Sequence, residues 1–116
     1  MYRSDIRVVL YKNGYEKLLH FYNENGYDKS FISESNVREE TNGRVIIELN
    51  YVPSPNNDVD IKNLVSGLYY LKNNNFSYHY IRLGEREEDT RDFMFTAKGE
   101  QPLYMNYPEF TMEEGD

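Results

Sequence analysis

Cysteine and tryptophan are absent from this chain, histidine occurs only twice and proline four times. Without cysteine there is no disulfide framework, no thiolate zinc site and no thiol nucleophile, which fits a reducing compartment, the cytoplasm. None of the seven glycines falls in a Gly-x-Gly-x-x-Gly or Walker spacing, so nucleotide binding has no motif behind it. No Gly-x-Ser-x-Gly elbow and no Ser-x-x-Lys pair occurs, which removes the commonest hydrolase signatures. No apolar run approaches the roughly 20 residues of a membrane span, and residues 1–10 are interrupted by Asp5 and Arg7, unlike a signal peptide. The expectation is a protein without cofactor or membrane association.

What the chain does have is tyrosine and a lopsided charge. Twelve of its 116 residues are Tyr, and its net charge is −7. Residues 1–84 balance at ten basic against ten acidic residues, whereas residues 85–116 hold three basic and ten acidic ones. All of the excess negative charge therefore lies in the last third. Such a surface repels phosphate backbones, so direct nucleic-acid binding is not expected unless a basic face is hidden in the first 84 residues.

Periodicity predicts the elements. Ile6 to Tyr11 alternates as a strand. Tyr15, Leu18, Leu19 and Tyr22 recur at helical spacing over a helix from Gly14 to Asn25, with Asn13 as N-cap, Glu16 completing a capping box and Gly26 as the left-handed C-cap. Strands over Phe31–Val37 and Arg44–Val52 follow, joined by a turn at Thr41-Asn42-Gly43. Val45, Ile47, Leu49 and Tyr51 share one face of the second. Asp58 or Asp60 caps a second helix with an Ile61, Leu64, Val65, Leu68 and Leu71 stripe. A fourth strand runs from Ser77 to Leu83, and a fifth, Phe93–Thr96, pairs with it across the charged run Glu85–Asp92.

This order predicts an α+β fold, a ferredoxin-like β-α-β-β-α-β sheet with two helices on one face, plus a C-terminal acidic hairpin and extension. One domain over residues 1–112 is expected, with 113–116 a frayed acidic terminus. An RNA-binding sheet of this shape carries stacking rings on its central strands. Here Gly43–Tyr51 places aliphatic residues and Glu48 at those positions, against that use.

His20 and His79 are the only candidates for a metal site or an acid/base pair, but they lack HxH or HExxH spacing, and two ordinary, partly exposed histidines are the plainer reading. The run Glu85–Asp92 lacks the alternating carboxylates and distal Glu of a calcium loop. It reads instead as a solvated loop or a protein-binding surface. Tyrosine offers large contact area at few rotatable bonds, so the partner-binding candidates are Glu85, Glu87, Glu88, Asp89, Asp92 and Glu100 with Tyr78, Tyr80, Tyr104 and Tyr107.

The segment Tyr78-His79-Tyr80-Ile81-Arg82-Leu83-Gly84-Glu85, closing a β-α-β-β-α-β order and running into acids, resembles small uncharacterised proteins of bacteriophages, in which a strand ends in Arg-Ile/Leu-Gly-Glu. The resemblance transfers no catalytic residues. It implies a phage-type accessory protein in the host cytoplasm that binds and inhibits a host or defence nucleic-acid-binding protein, of anti-CRISPR or anti-restriction type. Carboxylates set where phosphates would lie make it a DNA mimic, and its partner a protein with a basic surface. Two alternatives stay open: a structural or regulatory homo-oligomer, such as a homodimer through exposed Tyr78 and Tyr80, and a metal-dependent enzyme using His20 or His79.

Overall fold

The computed structural model describes residues 4–33, 36–51, 55–84 and 90–104. In chain order these form β1 (Ser4–Tyr11), α1 (Lys12–Asn25), a 3-10 turn (Lys29–Ile32), β2 (Val37–Glu39), β3 (Arg44–Tyr51), α2 (Pro55–Asn73), β4 (Tyr78–Leu83) and β5 (Arg91–Phe95). The fold is α+β, with two helices and one five-stranded sheet in the order β2-β3-β1-β4-β5. Every neighbouring pair is antiparallel. The expected acidic hairpin thus extends the main sheet as its edge strand.

Alternation along β1 decides both faces. Ile6, Val8 and Leu10 point to the helices, where they join Ile47 and Leu49 of β3, Tyr78 and Tyr80 of β4, Leu18 and Tyr22 of α1 and Leu64, Leu68 and Leu71 of α2. Val9 points the other way and is equally buried, in a second small cluster with Ile46 and Leu103. The two helices meet closely at Gly67, where a Cβ would lie 2.5 Å from Leu18 Cδ1.

Several boundaries differ from the periodicity. The first helix begins at Lys12 with Tyr11, still extended, as its N-cap and no side-chain capping bond, so Asn13 is not the cap. Its first turn is set by packing, since Gly14 is buried against Phe76 and the Ser77 carbonyl. Gly26 does close it, at φ 68°, as a left-handed C-cap should.

The strand expected over Phe31–Val37 is replaced by the 3-10 turn, which Asp28 opens by accepting from the Ser30 N–H at 3.0 Å. This turn sinks Ile32 into the core, and the Tyr15 hydroxyl donates to the Ile32 carbonyl at 2.8 Å. Among the described residues Val37–Glu39 form the paired strand, joining β3 across the Thr41-Asn42-Gly43 turn, where Gly43 takes φ 85°. The second helix starts at Pro55, a turn before Asp58 and Asp60, because proline is well suited to the first helical position. The Tyr51 side chain and the terminus 113–116 lie outside the described residues.

After β5 the chain turns at Gly99, φ 87°, and residues 97–104 cross the helix-free face as a strap. The Tyr11 hydroxyl donates to the Gln101 carbonyl at 2.6 Å, Leu103 plugs the cluster with Val9 and Ile46, and Arg44 Nη1 reaches the Tyr104 carbonyl at 3.5 Å.

Tyr22 is buried, and its hydroxyl has no hydrogen-bond partner among the described residues. Burial, reinforced by Asp60 and Tyr27, raises its pKa above the ordinary tyrosine value. Burial also raises Tyr15, Tyr78 and Tyr80, with Arg82 and Arg91 opposing it at Tyr80. Unfolded tyrosines ionise near pH 10 and these folded ones later, so their contribution is full below about pH 10 and is lost as pH rises beyond it. Tyr22→Phe should move the alkaline unfolding midpoint upward and leave stability at pH 7 unchanged or raised by about 1 kcal/mol. Circular dichroism during a pH titration and a urea melt at pH 7 measures both effects.

Candidate functional site: a groove between the second helix and the edge strand

Among the described residues strand β5 has no neighbour on its outer side. Its register places Phe93 opposite Tyr80 and Phe95 opposite Tyr78, so these rings point to the helix side. Tyr80 and Phe93 stack with centroids 6.1 Å apart at 26°, and Tyr78 and Phe95 lie 6.2 Å apart at 33°. Across from them, Leu68, Tyr69 and Lys72 of α2 form the opposite wall of a groove of about 460 Å³. The groove has buried tyrosines as its floor and exposed rings as its rim, with Tyr69 60% and Phe93 55% exposed.

The residues singled out from sequence divide four ways. Glu85, Glu87, Glu88, Asp89 and Tyr107 lie outside the described residues. Tyr78 and Tyr80 are 8% and 3% exposed, so the expectation of exposed sheet tyrosines is corrected: their faces are taken by the helix-side core. Tyr104 alone of the described tyrosine candidates stands in solvent, 69% exposed at the end of the strap on the opposite face.

Asp92 and Glu100 serve the fold. The Ser77 hydroxyl donates to the Glu100 carboxylate and accepts from the Ala97 N–H at 2.8 Å, which fixes the turn into the strap. Asp92 Oδ1 lies 2.8 Å from His79 Nε2, while His79 Nδ1 lies 2.7 Å from the Leu103 carbonyl. A carbonyl oxygen can only accept, so Nδ1 is the donor on that side. The ring thus ties the edge strand to the strap through both of its nitrogens.

This arrangement corrects the reading of His79 as partly exposed: it is buried, with both nitrogens bonded. His20 is exposed on α1, 3.7 Å from Glu24 one turn on. The two histidines therefore sit on opposite sides of the sheet and cannot share a centre. Among the described residues no group of three or more His, Asp and Glu is placed to hold a metal ion. No described helix is long and apolar enough to cross a membrane.

Sequence reasoning passed over Tyr69 and Phe93 as anchors. Phe93 was legible only as a strand residue, because its exposure follows from β5 being the edge. No family model matches the chain, and no curated protein or solved structure does.

The His79 bridge makes Asp92 a positioning residue for the strap. Asp92→Ala should leave the helix-side core intact and speed amide exchange at Ala97 and Glu100 by about tenfold, corresponding to roughly 1.5 kcal/mol for a charge-assisted bond. Hydrogen exchange followed by NMR reads this residue by residue. Uniform acceleration across α1 and β1 would show that the bridge supports the whole domain instead.

Proposed function

We propose that this chain is a non-enzymatic protein-binding protein of the phage accessory type, an inhibitor of a host or defence nucleic-acid-binding protein. One observation carries the reading: two exposed rings, Tyr69 of α2 and Phe93 of β5, rim a groove beside the strand that directly follows the connection bearing Glu85, Glu87, Glu88 and Asp89. Aromatic anchors beside charge are the composition of protein interfaces, where the rings supply most of the energy and the charges steer encounter. A partner with a basic surface fits the acids, and carboxylates in place of phosphates would make the contact a mimic of DNA.

The first four strands stand in the order 2-3-1-4 with a helix in each crossover, which supports reading the fold as ferredoxin-like with one strand appended. The edge also favours a second reading, a homo-oligomer. Strand β2 is short and carries Arg38 and Glu39, whereas β5 offers Phe93 and Met94 to another strand.

Affinity capture from the natural host with three forms tests the first reading: wild type, a Glu87→Lys, Glu88→Lys, Asp89→Lys triple variant, and Phe93→Ser. The wild type should retain a nucleic-acid-binding protein. The triple variant should slow its association at least tenfold at low salt, and Phe93→Ser should speed its release by a similar factor. Equal capture of wild type and triple variant at low salt would sink the inhibitor reading. Light scattering on the same samples decides the second, since a monomer at every concentration rules it out.

A further inference from the structure

The face crossed by the strap carries a cluster of arginines. Arg7 of β1, Arg38 of β2 and Arg44 of β3 come from distant parts of the sequence, and the antiparallel register brings them around one cavity of about 210 Å³. Val9 and Ile46 line it as apolar residues, and Tyr104 and Glu40 complete its lining.

Glu48 stands opposite Arg7 in the ladder and holds it at 2.5 Å through one carboxylate oxygen, while Arg38 Nη1 takes the other. One carboxylate is thus shared by two guanidinium groups. Among the described residues the Arg44 side chain bonds a neutral acceptor, the Tyr104 carbonyl, through Nη1. Glu40 also lines the cavity, so the three guanidinium groups have Glu40 and Glu48 as carboxylate neighbours.

The geometry points to a binding site for a phosphate monoester group, held between Arg38 and Arg44 with Arg7 behind them and the Tyr104 ring at the mouth. Each guanidinium presents five N–H donors in a planar fork, and among the described residues one nitrogen of Arg38 and one of Arg44 is committed. Forks arriving from three strands suit a tetrahedral anion, whereas a flat carboxylate is satisfied by one. The size agrees, because the cavity is smaller than the roughly 300–1,000 Å³ of sites that enclose a whole small molecule. It holds a group, and the remainder of the ligand lies over Tyr104.

This site is on the opposite face from the groove and does not depend on the inhibitor reading. NMR titration of the full chain at constant ionic strength tests it with three probes: inorganic phosphate, phenyl phosphate and benzoate. Phosphate should shift the amides of Val9, Arg44 and Ile46 saturably, and phenyl phosphate should bind about fivefold more tightly through the Tyr104 ring, a gain of roughly 1 kcal/mol that Tyr104→Ala removes. Benzoate should bind at least tenfold more weakly than phenyl phosphate.

Arg44→Gln and Arg38→Gln, both at solvent-facing strand positions, should each weaken phosphate at least fivefold. Linear, unsaturated shifts, or saturable binding that both Gln variants retain, would overturn the site. Benzoate binding as tightly as phenyl phosphate would overturn the choice of phosphate.

Discussion

Strand β1 is buried on both of its faces, and that double burial dictates what the rest of the chain has to supply. It lies between β3 and β4, with Val8 under the helices and Val9 under nothing until the strap arrives. Two helices cover the first face by ordinary stripe-on-sheet packing. No described helix covers the second, and among the described residues a short piece of irregular chain excludes water from it. Irregular chain has no ladder of its own, so its carbonyls need side-chain donors. Tyr11, Arg44 and His79 provide them, one from each of three strands.

That requirement explains the fate of the acids. Asp92 and Glu100 belong by sequence to an acidic third that looks like surface, yet both hold the strap, Asp92 through His79 and Glu100 through Ser77. Opposite charges likewise sit where a count along the chain would not put them. The first 84 residues are neutral in sum, and the register still concentrates Arg7, Arg38 and Arg44 on one face.

Much of the fold was legible in the residues themselves. The stripes of both helices, the alternation of β1 and β3, the Asn42-Gly43 turn and the Gly26 cap all rest on local periodicity or local backbone chemistry, and the chain obeys them. Phe31–Val37 misled because its apolar residues satisfy a strand pattern, while Asp28 and the demand to bury Ile32 choose a tight turn. The strap has no period, so its apolar residues suggest packing without saying which of them is buried: Leu103 is as buried as Val8, while Tyr104 stands exposed. The groove was hidden for a related reason: which aromatic is floor and which is rim depends on strand order, and strand order is not a local property.

The bond from Tyr11 to Gln101 joins residues 90 positions apart. A closure of that span cannot form until the sheet beneath it exists, so the strap is a late arrival in folding, laid down on a finished surface. The same logic run backwards makes it an early departure. The domain then has two layers of durability: a sheet and helices that open together, and a lightly fastened cover whose opening would expose Val9 and Ile46 to water while the remainder stays folded.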